Sequence, residues 1–175
     1  VSINGNPVPI AFASAGRIEV QLPYETGTGN AVAMVTVPCG TSAAAVFQVA
    51  AAAPYIRQNA NGDAVATNQD NSVNSADNPA RTGSIVTVSL TGIGPLDNPV
   101  ATGTAAPMSP LSQATLSKSA TIGGLDAPIY FLGLSPGKVG VGQGNLVVPG
   151  LSPGAYPVVV TVGGVASNGP TVYVQ

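Results

Sequence analysis

Asparagine and aspartate are concentrated in one polar segment, residues 59–79, and their oxygen atoms are ligands that calcium prefers. Four of these residues lie close enough in sequence to share one ion: Asn68, Asp70, Asn74 and Asp77. The run lacks the glycine and the terminal glutamate of an EF-hand loop. Asn and Asp side chains also bond their own backbone in turns. The sequence therefore leaves two interpretations open, a calcium site at these four residues or a set of turns.

Acid–base catalysis is the other chemistry that carboxylates offer, and a glycosidase needs two of them facing across a cleft, one with a raised pKa. The carboxylates of the chain are Glu19, Glu25, Asp63, Asp70, Asp77, Asp97 and Asp126. Glu19 lies in an alternating strand pattern and Glu25 follows Pro23 in a turn, and both positions are typical of solvated side chains. The chain has no histidine to act as a base near neutral pH. We predict that the protein is not an enzyme and has no cofactor, calcium remaining possible.

Charge and cysteine content exclude further classes of site. Five Lys and Arg against seven Asp and Glu give a net charge of −2, so no basic surface is available for nucleic acid. No apolar run approaches the roughly 18 residues of a membrane-spanning helix. The single cysteine, Cys39, cannot form a disulfide within its own chain. It is predicted to be a small residue of a turn or, alternatively, to form an intermolecular disulfide.

The elements that must position these residues are strands. Apolar residues alternate with polar ones in residues 17–22 and 33–37, and the period of two indicates half-buried strands. Further segments rich in β-branched residues are residues 84–90, 143–148, 158–162 and 171–174. The apolar run at residues 43–53 predicts a buried strand, and the polar segment predicts hairpins and a long loop. The pattern is typical of an all-β chain built of immunoglobulin-like β-sandwich units.

An internal repeat organises these strands. Residues 2–5 and 9–12 reappear 119 positions later as residues 121–124 and 128–131, and residues 17–23 match residues 143–149. Residues 35–37 then match residues 160–162. We predict two related units, residues 1–52 and residues 53–175. We call them the first unit and the second unit.

The two units differ in what precedes their repeated part. The second unit has residues 55–119 before it, which include the strong strand at residues 84–90. The first unit has no such segment and is predicted to lack its opening strands. An incomplete sandwich exposes an unpaired strand edge, which is a template for another strand. We expect either that residues upstream are removed or that another chain completes the unit by strand addition.

Five stretches together resemble an uncharacterised C-terminal domain family of secreted, multidomain proteins that is abundant in soil acidobacteria. These stretches are residues 2–10, 17–25, 68–83, 91–94 and 150–168. The resemblance covers nearly the whole chain, and members of the family generally carry a leading segment ahead of the position of Val1. It implies export and immunoglobulin-like sandwiches, and it implies no established activity.

These expectations combine into a functional hypothesis. Low charge and an unfinished first unit predict a secreted, extracellular or cell-surface structural protein that forms homo-oligomers by strand addition or edge pairing. A filament or a surface layer would be the resulting assembly. The alternative is a carbohydrate-binding or adhesive module that binds polysaccharide through the loop at residues 59–78, with or without calcium.

Overall fold

The computed structural model describes residues 1–38 and 40–175, and within these residues every regular element is a β-strand. The predicted all-β fold is therefore confirmed. In the part of the chain so described, no helix has the length and apolar character needed to cross a membrane. Cys39 lies outside the described residues. Both interpretations of Cys39 stay predictions.

Short strands separated by turns make up the first unit. Its strands are β1 (Ser2–Ile3), β2 (Asn6–Pro7), β3 (Ile10–Ala13), β4 (Ile18–Val20), β5 (Gly29–Met34), β6 (Thr36–Val37), β7 (Gly40–Thr41) and β8 (Ala45–Val49). They form a four-stranded sheet in the order β2-β1-β5-β8 and two separate pairs, β3-β4 and β6-β7. Only a small core lies between them, in which Ile3, Val8, Ala31 and Val49 are buried.

Longer strands make up the second unit. They are β9 (Tyr55–Ile56), β10 (Ala66–Thr67), β11 (Ile85–Thr91), β12 (Lys118–Ile122), β13 (Leu125–Asp126), β14 (Ile129–Leu134), β15 (Gly142–Val147), β16 (Gly154–Val162), β17 (Val165–Ala166) and β18 (Thr171–Val174). One sheet has the order β10-β11-β15-β14, with β9 also paired to β11. The other has the order β13-β12-β16-β17, with β18 also paired to β16. Alternate residues of both sheets are buried between them, as expected for a sandwich.

The strand pairings of the two units correspond residue by residue. Ile3 lies opposite Ala33 as Ile122 lies opposite Val158. Gly29 lies opposite Val49 as Gly154 lies opposite Val174. The β3-β4 and β14-β15 pairs even share a register shift, which falls between Ile10 and Phe12 and again between Ile129 and Phe131. The sequence repeat therefore has a counterpart in the hydrogen-bonded ladders. The division at residues 52 and 53 stays a prediction.

A side-chain hydrogen bond repeats with the ladders. The Val35 N–H donates to Ser42 Oγ at 2.9 Å, and the Val160 N–H donates to Ser167 Oγ at 3.0 Å. Each serine hydroxyl in turn donates to the carbonyl oxygen of the next residue. Because the serine occupies the same place in both units, this hydrogen bond is a property of the repeated sequence.

The prediction of a buried strand at residues 43–53 is wrong in one respect. A strand does form there, as β8, but Val46 is 66% exposed and Phe47 is only half-buried. The corresponding strand of the second unit, β18, buries Val172 and Val174 almost completely. The apolar run correctly indicated a strand. Nothing among the described residues covers its outer side.

Candidate functional site

The first unit has an open edge at β4. In the second unit the corresponding strand, β15, lies between β14 and β11, and β11 pairs with it over six residues from Ile85 to Leu90. Among the described residues β4 pairs with β3 alone. The Gln21 N–H donates to Pro9 O at 3.0 Å, towards β3. Because successive N–H groups of a strand alternate in direction, those of Ile18 and Val20 point to the open edge.

A second open edge lies at β8. In the second unit, β18 is covered by two parallel bridges, one from Asp63 to Thr171 and one from Ala80 to Val174. Between them the Asn74 amide accepts a hydrogen bond from the Tyr173 N–H and donates to Tyr173 O, each at 2.9 Å. A buried side chain thus takes the place of a strand at this edge. No such cover is described for β8.

Side chains of the first unit are exposed where their counterparts are buried. Phe12 is 49% exposed and its counterpart Phe131 is 8% exposed. Ile10 is 53% exposed, whereas its counterpart Ile129 is half-buried and packs against the large core. The strand pairing beneath these side chains is the same in both units, so the difference arises from the residues that pack on the strands. Ile10 and Phe12 are apolar and solvated, and monomeric proteins keep such exposure to small patches.

One cross-strand pair of residues is filled differently in the two units. In the second unit Leu132 lies opposite Gly144, and a Cβ at Gly144 would contact Leu132 and Val88 at 3.4 Å. In the first unit the same pair is Ala13 and Ile18. The large and small residues have exchanged strands. The larger side chain of the first unit therefore stands on β4 itself, next to the open edge, where it is 39% exposed.

Charge also distinguishes the two edges. Arg17 and Glu19 form an ion pair along β4, the one ion pair found in residues 1–38 and 40–175. Their counterparts on β15 are the uncharged Gln143 and Asn145, and Asn145 Oδ1 accepts a hydrogen bond from Thr87 of β11 at 3.2 Å. The open edge thus carries one positive and one negative side chain where the covered edge carries amides.

In the second unit, residues 55–91 cover the two strand edges, and we call them the covering segment. A pair of hydrogen bonds anchors this segment, and the first unit lacks these bonds. The Ile56 N–H donates to Asn168 Oδ1 at 2.7 Å, and Asn168 Nδ2 donates to Ile56 O at 2.9 Å. The position that corresponds to Asn168 in the first unit is Ala43. A methyl group cannot hold an incoming backbone in this way. The first unit therefore does not offer the same binding site for a β9-like segment.

The residues predicted to bind calcium are engaged in hydrogen bonds. Asn68 Oδ1 accepts from Asn74 Nδ2 at 2.9 Å, and Asp70 Oδ1 accepts from the Ser72 N–H and hydroxyl. Asn74 is buried at the β18 edge, and Asp77 is exposed. Outside residue 39, the structure has no group of three or more His, Cys, Asp or Glu side chains placed to hold a metal. The bond from the Ser72 N–H to Asp70 is of the turn-forming kind, and the calcium site stays a prediction.

A polar cleft of about 420 Å³ lies beside this loop. Its lining residues are Asn68, Gln69, Asp70, Asn78, Pro79, Ala80, Arg81, Ser84 and Gln175. The hydrogen bonds from Ser72 lower the pKa of Asp70, so the carboxylate is ionised at neutral pH. The cleft offers amide, carboxylate and guanidinium groups to a ligand, and its lining includes no aromatic ring for stacking on a sugar.

The far end of β4 is held by the second unit. Thr102 Oγ1 donates to Glu25 Oε2 at 2.7 Å and accepts from the Tyr24 N–H, and the Gly103 N–H donates to Gln21 Oε1. The hydrogen bond from Thr102 lowers the pKa of Glu25, and burial raises the pKa of Tyr24. These contacts fix one end of the open edge. Residues 16–20 remain uncovered.

Comparisons with known proteins give no relative from which a function could be transferred: no family model, no curated protein and no solved structure matches the chain. The features of the chain that bear on function are the two open edges and the polar cleft.

Proposed function

We propose that the protein is a non-catalytic extracellular structural module that self-associates through the open edges at β4 and β8. One observation carries the proposal: the same two edges, in the same register, are covered in the second unit and uncovered in the first. An unpaired strand edge with exposed apolar neighbours is a template for another strand. Two such edges on one molecule allow contacts to propagate into a filament or a layer.

The directions of the pKa shifts favour a role without acid–base catalysis. A catalytic carboxylic acid has a raised pKa, because it must stay protonated near neutral pH. Hydrogen bonds lower the pKa of both Glu25 and Asp70.

An extracellular location is part of the proposal through the resemblance to secreted proteins. It is tested by locating the protein in fractionated native cells.

The test of self-association is a lysine placed at each open edge. An inward or edge lysine opposes strand pairing because its charge would have to be desolvated. Ile18→Lys and Val46→Lys change exposed residues of β4 and of β8. Leu125→Lys is the matched control, since Leu125 is 46% exposed on a strand of the second unit.

Light scattering over a concentration series and negative-stain electron microscopy measure the outcome. We expect assemblies larger than dimers for the unmodified chain and for Leu125→Lys, smaller ones for each edge variant, and monomers for the double variant. A cooperatively folded chain that stays monomeric at all concentrations would contradict the proposal.

A second candidate function is carbohydrate binding at the polar cleft, favoured by its amide, carboxylate and guanidinium lining. Binding to a glycan array tests it. Signal that is lost in Arg81→Ala, with unchanged light scattering, would favour carbohydrate binding over assembly. Loss of the same signal on addition of a chelator would in addition support the predicted calcium.

A further inference from the structure

The β4 edge has a charge pattern that is complementary to itself. The sequence from Gly16 to Val20 places Arg17 and Glu19 at equal distances on either side of Ile18. Two such strands in antiparallel register centred on Ile18 bring Arg17 of one chain opposite Glu19 of the other, twice. Opposite charges directly across an antiparallel pair are stabilising.

We propose that the occupant of the β4 edge is the β4 edge of a second copy, in a two-fold symmetric pairing centred on Ile18. The result is a continuous sheet in which β3 and β4 of one chain are followed by β4 and β3 of the other. This inference rests on the proposed self-association and specifies its partner and register.

The backbone geometry of β4 supports this register. The N–H groups of Ile18 and Val20 point to the open edge, so Ile18 of each chain forms a hydrogen-bonded pair with Ile18 of the other. Ile18 lies on the same face of β4 as Val20, which packs against the small core, so the contact between the two Ile18 side chains is apolar.

The alternative occupant, a strand like β11, fits less well. In the second unit the β11 residues Thr87 and Ser89 face Asn145 and Gln143, which are uncharged. At β4 the same strand would place uncharged side chains opposite Glu19 and Arg17, which would then pair only with each other. The anchor for a covering segment, Asn168, is also replaced by alanine. A second copy adds an opposite charge across the strand pair for each of them, and a β11-like strand adds none.

The strand pair is short, so the association is expected to be weak. Stable interfaces bury about 1,200–2,000 Å² in total, which the short paired segment around Ile18 does not reach by itself. The dimer therefore forms at high protein concentration, as is suitable for a repeating contact in an assembly. Measurement is cleanest in the Val46→Lys chain, in which the β8 edge is blocked.

Charge exchange at β4 is the test of register. Sedimentation equilibrium compares four chains, all with Val46→Lys: no further change, Arg17→Glu, Glu19→Arg, and the double exchange R17E/E19R. Each single change places like charges opposite one another twice, and we expect dimerisation about tenfold weaker. The double exchange restores both opposite pairs, and we expect a dissociation constant within about threefold of the starting chain. Thermal unfolding checks that all four fold, as expected for changes at the solvated side of β4.

Oxidative cross-linking gives an independent readout. Opposed residues in an antiparallel pair have Cα atoms about 5.5 Å apart, which lies within the range of a disulfide. With Cys39→Ala to remove the native thiol, Ile18→Cys is expected to form a disulfide-linked dimer with oxidised glutathione as the oxidant. Ala11→Cys in the same background is the control, because Ala11 is exposed on β3 away from the edge.

The outcomes separate this inference from the proposed function. Association that is insensitive to both charge changes, or a double exchange as weak as the single ones, would overturn the register while self-association stands. A synthetic peptide of residues 84–92 that dissolves the dimers in all four chains equally would identify a β11-like strand as the occupant and overturn it also. If the unmodified chain never associates, the proposed function itself fails.

Discussion

At the scale of single residues, burial rather than residue type determines how much a repeated side chain contributes to the free energy of unfolding. Phe12 and Phe131 occupy the same ladder position and differ in exposure, 49% against 8%. The same amino acid therefore has two environments within one molecule. The two phenylalanines therefore separate the contribution of the residues packed on a strand pair from the contribution of the pair itself.

Phe131→Ala is expected to lower the free energy of unfolding of the second unit by about 3–5 kcal/mol, because it removes a buried ring. Phe12→Ala is expected to cost below about 1 kcal/mol in the monomer, since half of the ring is already in water. Urea denaturation at low protein concentration measures both. Equal costs would mean that the β3-β4 surface is covered in the monomer.

Asn74 shows the limit of sequence reasoning at this scale. Composition indicates that the segment is rich in turn-forming side chains, and the hydrogen bond from the Ser72 N–H to Asp70 is of that type. The pairing of Asn74 with Tyr173 spans 99 positions. No local pattern identifies that partner, because an amide that replaces a strand looks in sequence like any other loop amide.

At the scale of elements, alternation and β-branched residues identify the strands of the second unit well. The segments at residues 84–90, 143–148 and 171–174 correspond closely to β11, β15 and β18. Residues 33–37 are divided between β5 and β6, whereas the corresponding residues 158–162 belong to the single strand β16. Burial of β8 was predicted wrongly, since burial depends on a covering segment that the strand's own residues do not encode.

The exchange of volume between Leu132 and Gly144 in one unit and Ala13 and Ile18 in the other gives an element-scale prediction. Gly144→Ile is expected to be destabilising because it crowds Leu132 and Val88. Leu132→Ala alone leaves a cavity that costs about 2–5 kcal/mol. The double variant reproduces the pair of the first unit. We expect it to be more stable than the sum of the single costs by about 1–3 kcal/mol.

Urea unfolding of the four chains in this double-mutant cycle measures the coupling. Gly150→Ala serves as a control for the handling of a glycine variant, because a Cβ there would meet no atom within 4 Å. Additive costs would show that the two pairs are not equivalent ways of filling one layer.

At the scale of the whole molecule, one covering segment decides which unit is closed. Residues 55–91 supply both β11 for one sheet and the bridges to β18 for the other. The first unit has the same ladders without that cover. Its small core and its open edges are two consequences of one difference.

Amide hydrogen exchange tests this asymmetry directly. The N–H groups of Gly144 and Leu146 are paired with β11, and their counterparts at Ile18 and Val20 point to the open edge. In dilute solution we expect the latter pair to exchange at least about 100-fold faster, because no partner protects them. Raising the protein concentration is expected to slow their exchange. Equal protection in the monomer would show that the edge is already covered.

The order of the strands along the chain has a consequence for biosynthesis. The strand partners described for the first unit lie within residues 2–49, so its ladders are complete before the second unit is made. When residues 85–91 emerge, one edge of β11 can pair at once with β9 and β10, which precede it. The partner of its other edge, β15, is still more than 50 residues away. That edge therefore stays unpaired while residues 92–141 are made, and the second unit is open to mispairing for this part of its synthesis.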